Sequence, residues 1–141
     1  MATEAELTRR LAGAGVGATP QRLRVLRVLA REPDDATAQD IHRRLADAGE
    51  PVGLATVYRA LHAFAQAGVV DVLPHRADEA CYRRCGEGHH HHLVCTSCHR
   101  VVELADCRVG EWASRAAAQQ GWVASEHRLE VSGLCAACRA A

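Results

Sequence analysis

The chain has 141 residues with 17 basic and 17 acidic side chains, a formal charge of zero, so its overall balance announces no nucleic-acid partner. No apolar run approaches the ~20 residues of a membrane span, and the charged first ten residues lack a leader's apolar stretch, which predicts a cytoplasmic protein. Seven cysteines in such a protein suggest metal ligands rather than disulfides.

Residues 4–12 have amphipathic helical spacing and end at Gly13 and Gly15. Thr19-Pro20 reads as an N-cap followed by proline in the first turn. Leu23, Leu26 and Leu29 with Ala30 then recur at helical spacing to about Arg31, and Pro33 stops the helix. Arg22, Arg24, Arg27 and Arg31 cluster here; taken alone, they are a solvated face. Thr37-x-x-Asp40 is a variant capping box, with Ala38, Ile41, Leu45 and Ala48 as one apolar stripe and Gly49 as the stop. The turn Glu50–Gly53 leads to a further capped helix over 54–66. Its buried stripe is Leu54, Val57, Leu61 and Phe64. At about 100° per residue, Ala55, Arg59, His62 and Gln66 point the other way, with Thr56 and Tyr58 on the flanks.

Two strands follow, over 69–73 and 80–85, around a polar loop at 74–79. Helices followed by a two-stranded hairpin make a winged helix-turn-helix, whose second motif helix enters the DNA major groove. Thr56, Tyr58 and Arg59 are then the candidates for groove and phosphate contacts, with Arg22 on the backbone. Residues 86–88 break the pattern. Strands at 89–94 and 101–104 flank a knuckle, an Ala-rich helix carrying Trp112 spans 109–120, and Trp122-Val123 and Leu129–Val131 read as further strand.

The stretch Gly88–Cys98, G-H-H-H-H-L-V-C-T-S-C, carries the chemistry. Imidazole and thiolate are what a zinc-like ion prefers. A second C-x-x-C lies at Cys135 and Cys138, so Cys95, Cys98, Cys135 and Cys138 can close a tetrahedral structural zinc site. The histidine run is internal, which argues against an expression tag. Apolar residues on both sides of Cys95–Cys98 suggest strand–knuckle–strand rather than a thioredoxin-like redox pair. Alternate strand residues face opposite ways, so His90 and His92 share one face and His89 and His91 the other. One run can serve two sites.

The order T-P-Q-R, G-L-A-T-V-Y-R-A-L, H-H-H-H-L-V-C-x-x-C and a terminal C-x-x-C-R resembles the ferric-uptake-regulator family, most closely its zinc-uptake branch, over roughly residues 15–139. The resemblance implies an α+β homodimer binding double-stranded DNA. Each subunit has a winged-helix DNA-binding domain over 1–84, a hinge at 85–88 and a zinc-stapled α/β dimerisation domain over 89–141. It implies regulatory zinc on Asp71, Cys85, His90 and His92, with two or three Zn2+ per subunit. Relatives build a third site from the other two histidines, a later His and a Glu. His89, His91 and His127 match. The Glu position is Gly110 here, with Glu111 adjacent and Asp106 and Cys107 near; a three-ligand site with water is the alternative. Cys81 and Cys107 otherwise read as free or partly buried thiols. Where iron and peroxide sensors place a His, this chain has Asp35, while Glu103 matches an acidic ligand of those branches.

The function expected is a zinc-responsive repressor acting on palindromic operators of zinc-uptake genes. The same fold sensing iron, manganese, nickel or peroxide is the alternative. A zinc enzyme is disfavoured, because neither H-E-x-x-H nor a deaminase H-x-E…P-C-x-x-C is present. Zinc storage or delivery has no need of the capped helix pair before the wing.

Overall fold

The computed structural model describes every residue except Met1, Pro33, Ala77, Asp78, Cys85 and Glu87, and Pro74–Arg76 by backbone alone. The chain forms two compact units, Met1–Cys85 and Gly86–Ala141.

The first unit opens with α1 (Glu4–Gly13), started by a capping box between Thr3 and Glu6, and buries Leu7 and Leu11. In α2 (Pro20–Arg31) Thr19 caps the Arg22 amide. Here the buried stripe is Val25, Leu26 and Leu29. Leu23 lies roughly 110° from the stripe's centre at helical spacing and packs only at the margin. Both arms of the Thr37–Asp40 capping box form at the start of α3 (Ala38–Asp47). Ala48, expected in its apolar stripe, is instead the exposed C-cap.

The next helix, α4 (Leu54–Gln66), buries Val57, Ala60, Leu61 and Phe64, while Leu54 is half-buried. Ala55, Arg59, His62 and Gln66 are exposed, as the periodicity predicts. Gly53 holds the N-cap position without a side-chain hydrogen bond, so the expected cap is absent. The α1–α4 apolar faces and Tyr82 share one core.

Three strands close this unit in the order β1-β3-β2: β1 (Ala36–Thr37), β2 (Asp71–Arg76) and β3 (Glu79–Arg83). β2 and β3 are antiparallel, with Asp71 opposite Arg83 and Leu73 opposite Cys81. The strand continues through residues expected to be loop. The register is irregular between Leu73 and Arg76, and Pro74, which has no N–H to give, is tolerated at such a break. β1 pairs Ala36 with Tyr82 and Thr37 with Cys81; two residues are too few to show a period.

In the second unit β4 (His91–Cys95) is central, antiparallel to β5 (Val101–Leu104) and parallel to β6 (Glu130–Gly133). A parallel pair needs a crossover of a dozen residues or more, often a helix, and α5 (Val109–Gln119) lies in that crossover. The apolar pattern predicts strand at Trp122-Val123. These residues are instead irregular and 74% and 95% exposed, and β6 begins only at Glu130. The chain ends in α6 (Ala136–Ala140). Among the described residues no helix is long and apolar enough to cross a membrane.

Candidate metal centres

The four-cysteine group is built where β4 runs into its knuckle. Cys95 ends β4 and is 4% exposed. The chain reverses through His99, at φ 60°, so that the Cys95 amide bonds the Arg100 carbonyl at 2.9 Å. The Thr96 amide bonds the Gly133 carbonyl at 2.8 Å, bringing in the end of β6. Cys135 is the N-cap of α6, and Cys138 lies in its first turn. The four Sγ atoms are all within 4.8 Å of one another.

Zn–S bonds of about 2.3 Å put tetrahedral sulfurs about 3.8 Å apart; Cys98 Sγ and Cys135 Sγ are separated by 3.7 Å. Backbone amides of Cys135, Cys98 and Ser97 pull the Cys95 thiol down to about 5, and the Cys138 amide lowers Cys135. Ser97 also acts to lower Cys138, but Cys135, Cys98 and burial outweigh it and push that thiol up to about 11. Four thiolates this close need a cation before all can ionise. The donor set therefore fits zinc.

The histidines alternate as strand geometry requires. His90 and His92 rings lie 5.1 Å apart, and those of His89 and His91 4.6 Å apart. On one face, Cys107 joins His89, His91 and His127. Its Sγ is 3.0 Å from Nε2 of both His91 and His127, and His89 Nε2 is 3.2 Å from His91 Nε2. Burial, then the neighbouring His89 and His127, lower the His91 pKa and favour a neutral ring with a lone pair to offer.

The sequence offers Glu111 as the fourth donor, with Asp106 and Cys107 as nearby alternatives, and a free or partly buried thiol as the other reading of Cys107. The structure groups Cys107 with the three histidines. Glu111 is exposed in the first turn of α5 and lies outside the group. Cys107 occupies the connection before α5, where no helical period applies and sequence spacing gives no direction.

On the other face, Glu103 sits directly across the sheet from His92, and its Oε1 is 3.7 Å from His90 Nδ1. Asp71 begins β2 in the first unit. Cys85 lies outside the described residues. Cys81 is fully buried on β3, in no group of metal donors among the described residues.

The candidate nucleic-acid face is the outer side of α4. Tyr58 is 45% exposed. Arg59 is exposed and donates to the Thr56 hydroxyl at 2.9 Å. Arg22 donates to the Gly17 carbonyl at 3.0 Å. Of the α2 arginines, Arg27 pairs with Glu50, and Arg24 lies 3.7 Å from the same carboxylate.

The model of the ferric uptake regulator family matches residues 13–132. The chain belongs to the ferric uptake regulator family. It is 42% identical over 129 residues to the zinc uptake regulation protein of Mycobacterium tuberculosis (strain CDC 1551 / Oshkosh), spanning 92% of this chain and 99% of that protein. It is 38% identical over 125 residues to the ferric uptake regulation protein of Escherichia coli (strain K12), spanning 87% and 84%. Among solved structures it resembles a zinc uptake regulator complexed with zinc and DNA, with TM-score 0.79, 29% identity and coverage of 99% and 97%. It also resembles the Vibrio cholerae ferric uptake regulator, with TM-score 0.69, 33% identity and coverage of 92% and 99%.

Proposed function

We propose that this protein is a zinc-responsive transcriptional repressor, a homodimer whose zinc-loaded form binds palindromic operators of zinc-uptake and homeostasis genes. The observation carrying this reading is the 42% identity to a zinc uptake regulation protein across nearly the whole of both chains. The donor chemistry agrees with it, since Cys85 adds sulfur to the regulatory set. Cys95, Cys98, Cys135 and Cys138 hold structural zinc. Asp71, Cys85, His90 and His92 hold regulatory zinc, drawing ligands from both units. The α4 face with Thr56, Tyr58 and Arg59 reads DNA, and Arg22 supports it from α2.

Dimerisation uses the second unit. Trp112, Trp122, Leu129, Val131 and Leu134 are 38–74% exposed there, and α5 buries no residue within the subunit. So much exposed apolar surface marks a protein interface.

A second reading, sensing of iron or manganese, has one observation in its favour: Glu103 adjoins His90 and His92, and carboxylate oxygen suits harder ions. The test is operator binding by protein that keeps its four-cysteine zinc, titrated with buffered zinc, iron(II) and manganese(II). Zinc should raise affinity at the lowest free concentration. A response to iron or manganese without one to zinc would replace the zinc reading with the second.

A further inference from the structure

We propose that Cys107 is a metal ligand, and that His89, His91, Cys107 and His127 form a self-contained centre of three nitrogens and one sulfur for zinc-class ions. This inference stands on the geometry of the second unit alone, so it holds or fails separately from the sensing role proposed for Cys85.

Four donor atoms within 4.8 Å of one another come from three separate segments. His89 and His91 stand at the entry to β4. Cys107 lies between β5 and α5, and His127 in the irregular stretch before β6. All three imidazoles present Nε2. With Zn–N near 2.0–2.1 Å and Zn–S near 2.3 Å, a tetrahedron has N···N edges of about 3.3 Å and N···S edges of about 3.5 Å. The 3.2 Å N···N and 3.0 Å N···S separations lie just inside those edges.

A single cation at the centre of the group would be within reach of all four donor atoms at once. Gly110 adjoins the centre: a Cβ there would lie 3.5 Å from His127 Cε1, an ordinary van der Waals contact. The sulfur sets the selectivity. Imidazole and thiolate suit zinc or cobalt, while manganese and magnesium favour carboxylate and water oxygens. A bound ion would also tie residues 122–129, which form no helix or strand, to the start of β4.

The experiment uses the full-length wild-type protein, stripped by a mild chelator that leaves the four-cysteine zinc. It is labelled with a maleimide and read by peptide mass spectrometry. Added zinc should abolish labelling of Cys107 over a period in which the chelated protein is labelled to completion, and manganese should not. His127→Ala should shift the zinc needed for that protection at least about tenfold upward. Cobalt added in place of zinc should give a sulfur-to-cobalt charge-transfer band that Cys107→Ser diminishes. Labelling of Cys107 that ignores zinc in the wild-type protein, or a cobalt spectrum unchanged by Cys107→Ser, would overturn the assignment. The labelling arm needs no variant to fold.

Discussion

Arg59 tests the DNA-reading face at the smallest scale. Its guanidinium donates to the Thr56 hydroxyl one turn back, which lays the side chain along the exposed face of α4 without neutralising it. No acid competes for it in that bond, in contrast to Arg27, which pairs with Glu50. Arg59→Ala should weaken operator binding by ~1–3 kcal/mol, confined to particular operator positions if the arginine reads a base edge. Zinc content and dimerisation should be unchanged. A loss equal on all sequences would assign Arg59 to phosphate, and no loss would take α4 out of the groove. Such residues were legible because an exposed helix face follows from period alone: Ala55, Arg59, His62 and Gln66 all point outward. The histidine alternation was legible for the same reason, with a period of two. Cys107 was not. It lies outside any helix or strand, so nothing in the sequence says which way its sulfur points, and only tertiary packing brings it to His91 and His127.

Among the elements, helices with an apolar period or a cap chemistry and the strands β2 to β5 with apolar runs of their own were readable, and those that exist mainly through pairing or ligation, such as β1 and α6, were not. α3 was marked by Thr37 and Asp40, and both hydrogen bonds of that box form. β1 is two residues recruited by β3. β6 falls on the expected stretch around Leu129–Val131, where it pairs in parallel with β4, His92 opposite Glu130, and the apolar Trp122-Val123 takes no part in it. α6 is five residues long and buries none of them, so periodicity cannot reveal it or packing hold it. The four cysteines should therefore be what fixes α6 and the end of β6 to the knuckle. Structural zinc in small domains contributes about 10–16 kcal/mol, more than this thinly buried sheet can replace. Cys138→Ser should lose that zinc, expose the C-terminus to proteolysis and break the dimer, read by metal analysis, limited digestion and sedimentation. A dimeric Cys138→Ser protein with full zinc content would remove the structural role from this group.

For the whole molecule the question is how metal in one place changes DNA affinity in another. The regulatory set proposed here takes Asp71 from the first unit and His90 and His92 from the second, with Cys85 at the boundary between them. A ligand shifts a conformational equilibrium only by its differential affinity for the two states. Under that proposal, zinc that needs donors from both units would bind well in one arrangement and poorly in others, and that difference would select the DNA-binding form. Moving a balance from 1:99 to 99:1 takes about 5.5 kcal/mol. Losing the one thiolate of such a site should remove much of that difference. Cys85→Ser should thus remain a folded dimer with its four-cysteine zinc, yet need far more free zinc to bind the operator. His89→Ala touches the opposite face of the histidine strand, where His89 belongs with His91, Cys107 and His127, and should give the milder defect. Operator binding against buffered free zinc, run on wild type and both variants, decides the matter. If Cys85→Ser keeps the wild-type response while His89→Ala abolishes it, regulation belongs to the Cys107 centre, and the face carrying His90 and His92 serves another purpose.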